Sequence, residues 1–70
     1  MESYPLTPRE REVVVLIAGG CSNHQIASEL IIAEGTAQRH VANILAKLGF
    51  DSRTQIAVWA VEHDLTTSSG

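Results

Sequence analysis

The sequence predicts an all-α domain of four short helices, and three observations carry that prediction. The pattern Ser/Thr-x-x-Glu/Gln occurs as Thr7…Glu10, Ser22…Gln25 and Ser52…Gln55, each time ahead of apolar residues at helical spacing. Over 34–48 the apolar residues Ala37, Val41, Ile44, Leu45 and Leu48 fall on one side of an α-helix. Glycines stand where helices should stop, at Gly19, Gly20 and Gly49. Seventy residues bound the chain to one domain, near the small end of what folds on a single core. The only aromatics are Tyr4, Phe50 and Trp59, so that core must be aliphatic.

The elements follow in order. Residues 1–5 read as an extended lead-in, because Pro5 disfavours helix in the residue before it. Thr7 caps the first helix, Pro8 suits its first position, and Glu10 completes the capping box, giving a helix near 8–19. Within it Val13-Val14-Val15-Leu16-Ile17 is β-branched enough to be a buried strand instead; the start signal and the Gly19-Gly20 stop favour helix. Ser22 and Gln25 open a second helix near 23–30, with Ile26, Ala27 and Leu30 inward. Ile31-Ile32-Ala33 turns the chain without the glycine such turns often use. Ala33 is also a poor cap, by about 1 kcal/mol against Ser or Asp. The third helix spans 34–48 and ends at Gly49, with Phe50 supplying the apolar contact that accompanies a left-handed stop. The fourth runs near 53–63, and its apolar residues surround almost the whole wheel, leaving only Gln55 and Glu62 as a polar sector. A terminal helix of a small domain cannot bury its full circumference, so Val58, Trp59 and Val61 are expected to meet a partner; isolated exposed apolar residues are the plainer alternative. Residues 66–70 read as a flexible tail.

The second and third helices, joined by about three residues, form a helix-turn-helix, a unit whose second helix enters the major groove of DNA. The outward face of the third helix carries Gly35, Arg39, Ala42 and Ala46, flanked by Gln38 and Asn43. Small residues permit close approach, and Arg, Gln and Asn can pair bidentately with base edges. The same face can also be read as an ordinary solvated surface. The formal net charge of −3 is unusual for a nucleic-acid binder. Residues 34–53, however, hold Arg39, Lys47 and Arg53 against Glu34 and Asp51, so the acidity lies mostly elsewhere.

Other chemistries find little support. Cys21, the single cysteine, excludes an internal disulfide framework. Cys21-x-x-His24, with His40 and His63, lacks the second ligand pair of a zinc site, so no metal, cofactor or catalytic role is expected. No apolar run approaches the roughly 18 residues of a membrane span, and no secretory leader is seen, so a cytoplasmic location is expected.

Leu6-Thr7-Pro8-Arg9-Glu10-Arg11-Glu12-Val13, Ser22-Asn23 with Ile26-Ala27, Glu34-Gly35-Thr36 with His40-Val41, Asn43-Ile44, Lys47-Leu48-Gly49 and Ser52-Arg53-Thr54 together resemble the LuxR family (GerE-type) DNA-binding domain over residues 6 to about 65. The resemblance implies the four-helix output domain of a bacterial transcription regulator, associated with the nucleoid, with an N-terminal input domain elsewhere in a longer protein. It implies double-stranded DNA as partner, read by the third helix, and homodimerisation through the fourth. By position it makes Gln38, Arg39 and Ala42, with Asn43 beside them, the base-reading residues. It assigns Ser22, Asn23, Thr36 and Lys47 to the DNA backbone. The sequence departs from the family pattern at Ala37 and Gln38, where Val and then Lys or Arg are usual, at the cap Ala33, and at Ile31. The competing expectation is a helix-turn-helix frame retained for dimerisation, with DNA binding weak or lost.

Overall fold

The computed structural model describes residues 5–65, so residues 1–4 of the lead-in and the tail at 66–70 lie outside the described residues. Four helices follow one another: α1 Pro8–Ala18, α2 Asn23–Leu30, α3 Glu34–Leu48 and α4 Arg53–Glu62. The expected spans hold, except that α1 and α4 each stop one residue early, at Ala18 and Glu62. The β-branched run of α1 is helical, with Val13, Val14 and Ile17 buried and Val15 and Leu16 half-buried. α1 packs chiefly on α4, α2 packs on α3, and α1 also reaches α3. Ile26, Ile44 and Ile56 join Val13 and Val14 as the largest fully buried side chains.

The starts are fixed by side chains. Thr7 Oγ1 accepts the Glu10 N–H at 3.1 Å while Glu10 Oε1 accepts the Thr7 N–H at 2.9 Å. Ser22 and Gln25 repeat this at 3.2 and 2.8 Å. Gln55 Oε1 accepts the N–H groups of Asp51 and Ser52 at 2.6 and 3.0 Å. At the start of α3, Ala33 makes no side-chain cap, as its methyl requires.

The ends share one device. In every helix the N–H five residues on from a carbonyl closes the last turn: Cys21 to Leu16 at 3.0 Å, Ile32 to Ala27 at 3.0 Å, Phe50 to Leu45 at 2.9 Å and Leu65 to Ala60 at 2.7 Å. The residue just before each donor has a positive φ: Gly20 89°, Ile31 56°, Gly49 71° and Asp64 58°. The four donor residues also pack against the core, completing the apolar contact that goes with this stop.

Ile31 is the misfit among them. A β-branched side chain in the left-handed region costs roughly 1–2 kcal/mol, and at 90% exposure it recovers nothing by burial. Ile31→Gly should therefore stabilise the fold by about 1 kcal/mol, after allowing for the greater freedom of unfolded glycine. In a domain of this size that is a rise of about 4–8 °C in the melting midpoint. An unchanged or lowered midpoint would show that Ile31 makes stabilising contacts.

Candidate nucleic-acid interface

α3 divides cleanly. Ala37, Val41 and Ile44 are buried, whereas Gly35, Gln38, Arg39, Ala42, Asn43 and Ala46 are exposed. The helical spacing read from the sequence is thus a real inner and outer face. Among the described residues the side chains of Gln38, Arg39 and Asn43 have no hydrogen-bond or ion-pair partner. Their donors and acceptors are free for an external ligand. Thr36 is also exposed, one turn ahead of His40.

Three residues expected to touch the DNA backbone prove to have work inside the domain. The Ser22 hydroxyl oxygen accepts the cap bond, which leaves its O–H able to donate elsewhere. Asn23 Oδ1 accepts from Arg53 Nη1 at 2.7 Å, while Arg53 Nη2 donates to the Cys21 carbonyl at 2.7 Å. Lys47 Nζ lies 2.7 Å from Glu10 Oε1, its side chain partly exposed and that of Glu10 buried. Neither partner, Arg53 or Glu10, was marked in the sequence as a contact of another helix. Their second roles span 30 and 37 residues, and no local pattern announces a contact at that range.

Among the described residues Glu10 is the one buried charged side chain, 4% exposed. Burial pushes its carboxyl pKa up, but the hydrogen bond from Lys47, the Thr7 N–H and the Lys47 charge outweigh it. The net direction is down from the ordinary carboxylate value. A second pair crosses between the starts of α2 and α3, His24 Nδ1 to Glu34 Oε1 at 3.6 Å, both exposed. Val58 and Val61 of α4 stand 54% and 62% exposed. Trp59 is half-buried and its ring lies 4.6 Å from that of His63. Beside them runs an open groove between Phe50 and the outer side of α4. Among the described residues no helix is long and apolar enough to cross a membrane, and no group of three or more His, Cys, Asp or Glu is placed to hold a metal ion.

Residues 4–60 match the GerE description, "Bacterial regulatory proteins, luxR family". The chain belongs to the LuxR family. An uncharacterized transcriptional regulatory protein of Bacillus subtilis, YhcZ, is 50% identical over 62 residues, which is 89% of this chain and 29% of YhcZ. The response regulator VraR of Staphylococcus aureus is 48% identical over 60 residues, 86% of this chain and 29% of VraR. Among solved structures, the transcription factor GerE superposes with a TM-score of 0.76 at 32% identity, covering 89% of this chain and 92% of GerE. ChrA, the response regulator of a heme-sensing two-component system, gives 0.79 at 35% identity, covering 93% of this chain and 32% of ChrA. This LuxR-type helix-turn-helix domain thus spans less than a third of the length of the curated relatives it matches. It is a domain of the kind found in response regulators and transcription factors, and its family is regulatory rather than enzymatic.

Proposed function

We propose that this LuxR domain binds double-stranded DNA in a sequence-dependent way by laying α3 in the major groove. Arg39, Gln38 and Asn43 read base edges there, and Ala42 lets the helix approach. The observation that carries this reading is the exposed, small-residue face of α3, whose three polar side chains have no internal partner among the described residues. Arg suits guanine and Gln suits adenine. Ser22, Asn23, Thr36 and Lys47 flank that face as backbone contacts. Selection of bound duplexes from a random library at two salt concentrations tests the proposal. A shared motif should emerge, with affinity falling steeply as salt rises. Recovery of no preferred sequence, even at low salt, would overturn it.

The exposed Val58 and Val61 favour a second function for the same domain, pairing of two copies through α4 with Trp59 at the edge of the contact. Two-fold pairing would place two recognition helices on half-sites about one helical turn apart. In analytical ultracentrifugation with and without duplex, the wild type should dimerise in at least one condition and Val58→Glu in neither. A wild type that stays monomeric in both would sink the α4 interface. Dimerisation without any duplex binding would instead favour an interaction module that has lost its DNA. The short span relative to YhcZ and VraR supports a place as the output end of a longer regulator with an N-terminal input domain, working in the bacterial cytoplasm at the nucleoid.

A further inference from the structure

A single guanidinium at the start of α4 holds the start of α2. Arg53 spends two donors on it, Nη1 on Asn23 Oδ1 and Nη2 on the Cys21 carbonyl, each at 2.7 Å. The fork grips a side chain and a backbone group two residues apart, so it fixes both the path of the chain into α2 and the rotation of the Asn23 amide. That rotation is not arbitrary. Guanidinium only donates, so the atom facing it must be the amide oxygen. The Asn23 nitrogen, with two N–H donors, is then turned away from Arg53. Among the described residues it has no acceptor of its own.

We infer that Arg53 is a positioning residue for DNA binding, which locks the Asn23 amide so that its N–H donors, and not its oxygen, face the phosphate backbone. A phosphate oxygen only accepts. An amide free to flip would offer it a repelling oxygen part of the time, and fixing the flip in advance removes that loss. Arg53 itself is half-buried and engaged by two protein acceptors, so it acts through Asn23 rather than by touching DNA. The inference rests on the DNA-binding reading proposed above.

Arg53→Gln, Asn23→Ala and the double variant, titrated with the tightest duplex from the library selection across a salt series, provide the test. Each single variant should bind about five- to tenfold more weakly, the worth of one oriented hydrogen bond. The double variant should be no weaker than Arg53→Gln alone, because the two residues act as one unit. The slope of log affinity against log salt should not change, since a neutral amide releases no counterion. A slope shallower by about 0.9 would make Arg53 a direct phosphate contact and overturn the inference. Additive losses, or an unchanged affinity of Arg53→Gln, would overturn it equally. Should Arg53→Gln fail to fold, Arg53→Lys keeps the charge and loses the fork. Unaltered Asn23 side-chain amide signals in its free NMR spectrum, or wild-type affinity, would then count against the inference. A wild type that binds no duplex sinks the DNA reading as a whole, whereas a wild type that binds as tightly as Arg53→Gln sinks only the role of Arg53.

Discussion

Replacing Lys47 with alanine should lower the unfolding free energy by about 2 kcal/mol, less than breaking a fully buried pair costs because Lys47 itself is partly exposed. The loss comes from the partner left behind. Glu10 is 4% exposed, and without the ammonium its carboxylate keeps only Thr7 as a partner, whose N–H donates to Oε1 at 2.9 Å. The pH dependence of the loss follows from the same carboxyl. In the wild type the Glu10 pKa is lowered, so its contribution is present above the ordinary carboxylate range and is lost as pH falls through it. In Lys47→Ala the hydrogen bond and charge that lower it are gone, so that pKa should rise relative to wild type, and the stability gap between the two should be widest at neutral pH and narrow on acidification. Denaturant unfolding of both proteins from neutral pH down to about pH 4 checks this, the window in which an ordinary carboxyl titrates. Glu10→Gln/Lys47→Met keeps an acceptor for the Thr7 N–H and replaces the charges. It should recover most of the stability, as apolar replacements of buried pairs often do. A Lys47→Ala protein with wild-type stability throughout would show that the pair contributes nothing.

The pair also alters what Lys47 can be asked to do at DNA. As a free surface cation it would simply neutralise a phosphate, and its removal would weaken all sequences alike. With its charge shared with Glu10, its removal also loosens the packing of α3 on α1. Binding by the variant is therefore interpretable only at a temperature where it remains folded.

Three of the helix starts were legible because the cap is a four-residue pattern whose physics is local. Thr7-Glu10 and Ser22-Gln25 form the reciprocal bonds that their spacing predicts, and Gln55 closes onto Asp51 and Ser52. The stops were half legible. Gly19-Gly20 and Gly49 gave two of them away, but Ile31 and Asp64 take the same left-handed position without being glycine. There the helix length and the packing of Ile32 and Leu65 on the core override residue preference. The outward face of α3 followed from period alone. What spacing could not reveal was which of the flanking polar groups are already engaged. The partners of Lys47 and Asn23 come from other helices, and only the folded arrangement of the four helices brings them within 2.7 Å. Nor does the net charge say where the acidic groups stand. Part of it is Glu10, which is buried and paired, and so is not presented to a phosphate backbone.

Arg39 is where the recognition reading meets its sharpest test. It is the one cation at the centre of the outward face of α3, exposed, and among the described residues it has no acidic partner. Gln38 beside it stands where the family usually has Lys or Arg, so on the proposed reading the cationic base contact falls to Arg39 alone. Arg39→Ala should lose about 1–3 kcal/mol of discrimination at a single base position, roughly 5- to 150-fold, through loss of a bidentate pair to guanine. Affinity for unrelated duplexes should change far less, and the melting midpoint should stay where it is because nothing in the fold leans on the side chain. Arg39→Lys should not rescue the preference, since a point charge cannot reproduce the planar fork. A parallel library selection with wild type and variant separates this from the alternative. Relaxation at one position of an otherwise intact motif identifies a base reader. A uniform loss over all sequences, with the salt slope reduced by about 0.9, would move Arg39 to the phosphates and leave Gln38 and Asn43 to carry the readout.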